Sequence, residues 1–163
     1  MDPSLILRLC ILIILLALSA FFSSSETALT TVNVHTIRAL VEDGNRQAKR
    51  VLQLIENPAA MLSSILIGNN LVNISATSLA TTLAIDVFGS AGAGIATGVL
   101  TILVLIFGEI TPKTYATIKN TNLALRFGPV IYYVTKVLTP VVIVINKLST
   151  GLLMLLRIDA KQS

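Results

Sequence analysis

Three short clusters of oxygen-bearing side chains interrupt an otherwise apolar chain: Ser23-Ser24-Ser25-Glu26, Gly68-Asn69-Asn70 with Asn73, and Gly108-Glu109-Ile110-Thr111-Pro112. A polar group in an apolar setting is costly unless something satisfies it. Glu109 follows a run, residues 101–108, in which every residue is apolar or small. A carboxylate inside such a segment marks a functional site by default; the plainer alternative is an interfacial acid at a helix end. Pro112 has no N–H, so the carbonyl four residues back, that of Gly108, loses its helical donor. A free carbonyl beside a carboxylate offers hard oxygens, which suit a hard cation. Asn69 and Asn73 are four apart and share a helical face. Gly68 lets a helix or an ion approach the backbone, while Asn70 is a further amide beside them. The alternative for these amides is to hold helices together. Ser23, Ser24 and Ser25 supply hydroxyls and can bond back to the preceding turn, loosening the helix; a hydroxyl-rich helix end is the alternative. Glu26 reads either as a second acid near the pathway or as an acid at the helix end.

These clusters require particular elements around them. Of 163 residues, 54% are hydrophobic and 12% charged. A soluble domain carries about 25% charged residues, so this chain cannot coat a water-facing surface and reads as one membrane domain. Apolar runs long enough to span cover residues 5–30, 59–87 and 93–112, and each carries one of the clusters. The first run is read as a retained span rather than a cleaved signal peptide, although Ser19-Ala20 are small. It lacks a basic leader and continues past that point. Residues 33–57 read as two short amphipathic juxtamembrane helices, with Ile37, Leu40 and Val41 on one face, Val51, Leu52 and Ile55 on another, and a break at Gly44-Asn45; a solvated hairpin is the alternative. Asn57-Pro58 opens the second span, and residues 89–92 form a tight turn. Gly94 and Gly98 permit close helix packing or dimerisation. Residues 128–156 are apolar but contain Lys136, Pro140, Asn146 and Lys147. They read as a bent helix lying along the membrane edge, with a fourth crossing as the alternative.

Net charge is +4, and its placement matters more than its size. Basic residues gather from Arg38 to Arg50 and from Lys113 to Arg126. Both clusters fall on the cytoplasmic side if the N-terminus is outside and the chain crosses three times. Nucleic acid is excluded, because that binding needs a soluble basic face. Enzymatic classes are excluded as well. His35 is the only histidine and lies away from the serines, and Asp86 is the only aspartate that could serve an intramembrane protease. Without a Cys/His cluster, zinc and copper are poor candidates. Cys10, the single cysteine, reads as a packed and inert thiol.

The segments Phe21-Phe22-Ser23-Ser24-Ser25-Glu26-Thr27-Ala28-Leu29, Gly68-Asn69-Asn70-Leu71-Val72-Asn73 and Phe107-Gly108-Glu109-Ile110-Thr111-Pro112-Lys113 resemble, in order, three signatures of the CNNM/CorC family of magnesium transporters. The resemblance covers nearly the whole chain. It implies an all-α homodimer with three transmembrane helices per protomer, an extracellular N-terminus and a belt-like helix after the third span. It implies Mg²⁺ export, with Na⁺ as a coupling ion in some members. It also implies an ion site built from Ser23, Asn73 and Glu109 with nearby carbonyls, for which Gly68 and Gly108 are the candidates. Ser24 stands where many members have glycine, which stiffens that turn. Members usually continue into cytosolic nucleotide-binding CBS modules, so this sequence reads as the membrane portion of a longer chain. The expectation is a site for dehydrated or partly dehydrated Mg²⁺ between three broken spans; a membrane-anchored Mg²⁺ sensor that regulates another transporter is the rival reading.

Overall fold

A computed structural model describes residues 2–158, and these are all-helical. Helix α1 (Pro3–Thr31) starts where Asp2 accepts the Ser4 N–H at 3.2 Å, with Pro3 in the first turn. Two short helices follow, α2 (Val34–Glu42) and α3 (Arg46–Ile55). Gly44 breaks them apart with φ of +86°, and Asn45 then caps α3 through the Ala48 N–H. Helix α4 (Pro58–Phe88) opens on Pro58, although Asn57 makes no side-chain cap. After a turn at Gly89 (φ +78°), the chain stays helical from Gly92 to Ile118 in three parts: α5 (Gly92–Leu103), a π-helical segment (Val104–Ile110) and α6 (Thr111–Ile118). Helix α7 (Asn120–Leu155) completes the fold and runs through Pro129 and Pro140.

Four helical stretches are long and apolar enough to cross a membrane: α1, α4, Gly92–Ile118 and α7. Their relative directions follow from contacts at several levels. Along α1, Arg8 meets Asp86, Ser19 meets Asn73 and Phe22 meets Gly68, so α4 runs antiparallel to it. Ser19 also meets Gly108, and Thr31 accepts from Asn120, so the third stretch runs parallel to α1. The buried core gathers at one end of this bundle. There Ala28 and Leu29 of α1, Val32 just past its end, Ile37, Ala48, Val51 and Leu54 of α2 and α3, and Leu123, Ala124 and Ile131 of α7 close together. Elsewhere the surface is apolar: Leu7, Ile13, Leu71, Ile74, Ile95 and Val137 all lie open. That surface is suited to lipid, where only helices with internally satisfied backbones survive as single segments.

Several expectations are corrected. Of the three stretches expected to be broken, α1 and α4 are continuous helices and only the third is irregular, at its π segment. Ser24 and Ser25 do bond back, to Ala20 O at 2.7 Å and Phe21 O at 2.6 Å, without interrupting α1. In α3 the buried face is Ala48, Val51 and Leu54, with Leu52 and Ile55 only half-buried. Gly94 and Gly98 meet nothing within 4 Å, so close packing inside the chain does not explain them. Cys10 is exposed on α1 rather than packed.

Candidate functional site

The site is assembled where α1, α4 and the π segment converge. Ser19, buried at 1% exposure, donates its hydroxyl to Asn73 Oδ1 at 2.9 Å. A side chain at Gly108 would come within 2.9 Å of Ser19 Oγ, so glycine is what lets the π segment reach α1. One residue on, Glu109 lines a cavity of about 320 Å³ together with Asn73, Thr77, Thr97 and Thr101; the remaining walls are Leu100, Val104 and Leu105. Such a volume holds on the order of ten waters at ~30 Å³ each. Thr77, Thr97 and Thr101 have bonded their hydroxyl protons to carbonyls one turn back, which leaves their oxygens as acceptors toward the cavity. The Glu109 side chain is 29% exposed, with Lys113 Nζ 3.7 Å away.

The local backbone explains why oxygens concentrate here. In the π segment bonds span five residues, and Thr111 N–H reaches Ile106 O. Pro112 therefore withholds a donor from Phe107 in this register, or from Gly108 in the four-residue register that resumes at Thr111. Sequence reasoning assigned the loss to Gly108 alone because it assumed an unbroken α register.

The other expected residues divide. Ser23 lies one turn beyond Ser19 on the same face of α1. It is fully buried, and its Oγ finds no partner among the described residues. An unsatisfied buried hydroxyl costs roughly 1–3 kcal/mol. Ser23 does not line the cavity that holds Glu109. Gly68 packs against Phe22, whose ring would lie 2.6 Å from an added side chain; its smallness serves the α1–α4 contact. Asn69 buries its Oδ1 without a partner among the described residues, whereas Asn70 is exposed. Ser24 and Ser25 spend their hydroxyls on the backbone, and Glu26 is half-buried. The residue that sequence reasoning missed is Ser19, set aside there as a small residue near a cleavage-like point. Its spacing of four from Ser23 was the available signal, as was the spacing of four between Thr97 and Thr101 and between Asn73 and Thr77.

An all-helical bundle with lipid-suited faces and a cavity between its helices that Glu109 and Asn73 line defines a multi-pass membrane protein. Residues 10–163 match the family described as cyclin M transmembrane N-terminal domain, and the chain belongs to that family. It is 42% identical over 154 residues to a UPF0053 protein of Haemophilus influenzae, covering 93% of this chain and 37% of that protein. It is 40% identical over 141 residues to the UPF0053 inner membrane protein YfjD of Escherichia coli, covering 86% and 33%. A polyamine export protein of Escherichia coli is 39% identical over 74 residues, covering 45% and 16%. The chain thus spans about a third of the length of the first two relatives.

Proposed function

We propose that this chain is the ion-translocating membrane domain of a Mg²⁺ transporter, working as a homodimer and exporting the ion. The observation that carries the reading is the single cavity that Asn73 and Glu109 share, tied to α1 through Ser19. Glu109 supplies charge; Asn73, the threonine hydroxyls and the carbonyl beside Pro112 supply neutral oxygens, a donor set for a hard cation. Ser23 is the ligand reached one turn further along α1, at the opposite end of the path from Thr97. Mg²⁺ keeps several waters where it can, and the cavity has room for them. Lys113 stands in for the ion's charge beside Glu109 when the site is empty. The relative named for polyamine export raises an organic polycation as cargo. One carboxylate in the cavity answers a single divalent ion better than a chain of several charged amines.

The alternating directions of α1, α4 and Gly92–Ile118 support three crossings, with both basic clusters on the cytoplasmic side and the N-terminus outside. In that arrangement α2 and α3 are juxtamembrane, α7 wraps the bundle as a belt, and the open Gly94–Gly98 face is available to a second protomer. The test is Mg²⁺ flux into proteoliposomes holding this protein alone, with and without a Na⁺ gradient. Glu109→Gln keeps size but removes the charge. Losing one partner of a buried charge pair costs roughly 3–5 kcal/mol, so flux should fall by two to three orders of magnitude. Wild-type flux in that variant rejects the site. Absence of flux in the unaltered protein, with Mg²⁺ binding retained, favours a sensor.

A further inference from the structure

Arg50 of α3 and Lys136 of α7 converge on one aromatic side chain. The Arg50 guanidinium carbon lies 4.4 Å from the Tyr132 ring centre, and Lys136 Nζ lies 4.7 Å from it. Both cations therefore lie against the same ring. Neither has a carboxylate within 4.0 Å among the described residues, where the ion pairs are Arg8–Asp86 and Lys113–Glu109. Two cations sharing a ring near lipid repel one another, and the ring faces offset only part of that. An anion beside the pair would offset that repulsion.

Tyr133, the next residue, links this pair to a groove. Its ring lies 5.7 Å from the Arg50 guanidinium, and it also lines a cleft of about 490 Å³ between α4 and α7. The cleft runs past Phe22, Gly68, Leu71, Val134 and Val137 and is almost wholly apolar. Gly68, packed against the Phe22 ring, forms part of its wall. A doubly cationic end joined to an apolar trough is the shape of one amphiphile with an anionic head.

We propose that Arg50 and Lys136 hold the phosphate of an anionic phospholipid whose acyl chain lies in the cleft between α4 and α7. Charge complementarity chooses the occupant. A zwitterionic lipid would bring its own cation toward Arg50 and Lys136, and an apolar segment of protein would leave both unanswered. Basic pockets between helices at the membrane surface bind anionic headgroups on this principle. The site lies outside the ion cavity and uses none of its residues.

The experiment is native mass spectrometry of the protein in mild detergent with phosphatidylglycerol or phosphatidylcholine of the same acyl chains. Two basic side chains at a membrane surface are worth roughly a thirty-fold preference for the anionic headgroup, so phosphatidylglycerol adducts should dominate by about that factor. The preference should vanish in Arg50→Gln/Lys136→Gln and survive in Lys147→Gln, which removes an exposed lysine elsewhere on α7. Val137→Trp, which fills the cleft, should weaken phosphatidylglycerol retention while leaving Arg50 and Lys136 in place. Equal retention of the two lipids by the unaltered protein overturns the proposal without recourse to any variant. So does glycerol 1-phosphate displacing phosphatidylglycerol at equal concentration, because the cleft would then contribute nothing.

Discussion

Ser19 and Ser23 are chemically identical, sit one turn apart on the same helix face and are both buried, yet their hydroxyls are in opposite situations. Ser19 donates to Asn73, whereas Ser23 has no partner among the described residues. Replacing each by alanine should therefore move stability in opposite directions when Mg²⁺ is absent. Ser19→Ala removes a made hydrogen bond and frees Asn73, a loss of about 1 kcal/mol; Ser23→Ala removes an unsatisfied group and gains about as much. For a chain of this size 1 kcal/mol is roughly 2–4 °C in Tm. Thermal melts in the empty protein should show Ser23→Ala above and Ser19→Ala below the parent. Added Mg²⁺ should raise the Tm of the parent but much less that of Ser23→Ala. A Ser23→Ala variant that loses stability in the empty protein and still responds fully to Mg²⁺ removes Ser23 from the ion's path. The sequence could show that Ser23, Asn73 and Glu109 are costly where they stand, because cost follows from residue type and surroundings. It could not show which serine faces which amide, because that depends on the rotation of α1 against α4. That rotation is set by the Phe22–Gly68 contact, a long-range fact with no local signature.

At the level of elements, helix lengths and breaks were legible wherever a residue imposes them locally. Gly44 adopts its positive φ between α2 and α3, Gly89 does so between α4 and α5, and Pro58 begins α4. The π segment was not legible. Its wide register is a compromise between keeping Gly108 against Ser19 and turning Glu109 toward the cavity, and neither constraint lies within its own seven residues. π segments of this kind concentrate at functional sites because they trade hydrogen-bond quality for the aim of a side chain. Pro112 supports the same trade by withholding its donor. Pro112→Ala should restore a hydrogen bond to Phe107 or Gly108 and stabilise the protein by about 1 kcal/mol. It should also lower Mg²⁺ flux, by about ten-fold if the freed carbonyl contributes one charge–dipole contact of a few kcal/mol at most. Melting and flux measured on the same preparation check this. A variant that gains stability and keeps its flux shows that the ion does not use the carbonyl.

Across the whole molecule, the contacts of α1 decide more than hydropathy can. Hydropathy marks four apolar helices without saying which of them cross. The order of contacts shows α1 and Gly92–Ile118 side by side and parallel, with α4 antiparallel between their ends. The segment after α1 and the segment after α6 therefore emerge on the same side, and the turn at Gly89 emerges with the N-terminus. The first shared side carries Arg38, Arg46, Lys49 and Arg50 together with Lys113, Lys119 and Arg126; the turn at residues 89–91 carries no charge. Lys and Arg in short loops hold a segment in the cytoplasm, which is the basis of the orientation proposed above. Helix α7 is packed in its first half and bare in its second. Residues 130–138 lie along α4 and Phe22, whereas beyond them only Val142 is buried. A helix anchored at one end and bare for the rest fits a belt that follows the membrane edge and leaves its far end inside. Impermeant thiol labelling of intact cells decides the matter once the exposed Cys10 has been changed to alanine. Single cysteines belong at Ser90, at Asp43 (exposed, and free of the strain that Gly44 would impose) and at Ile158 beyond α7. Ser90→Cys should label from outside, and Asp43→Cys should label only after the membrane is opened. Ile158→Cys should behave like Asp43→Cys if α7 is a belt and like Ser90→Cys if α7 crosses. External labelling of Asp43→Cys would contradict the orientation itself, since the contacts of α1 tie that position to the side opposite Ser90 whatever α7 does.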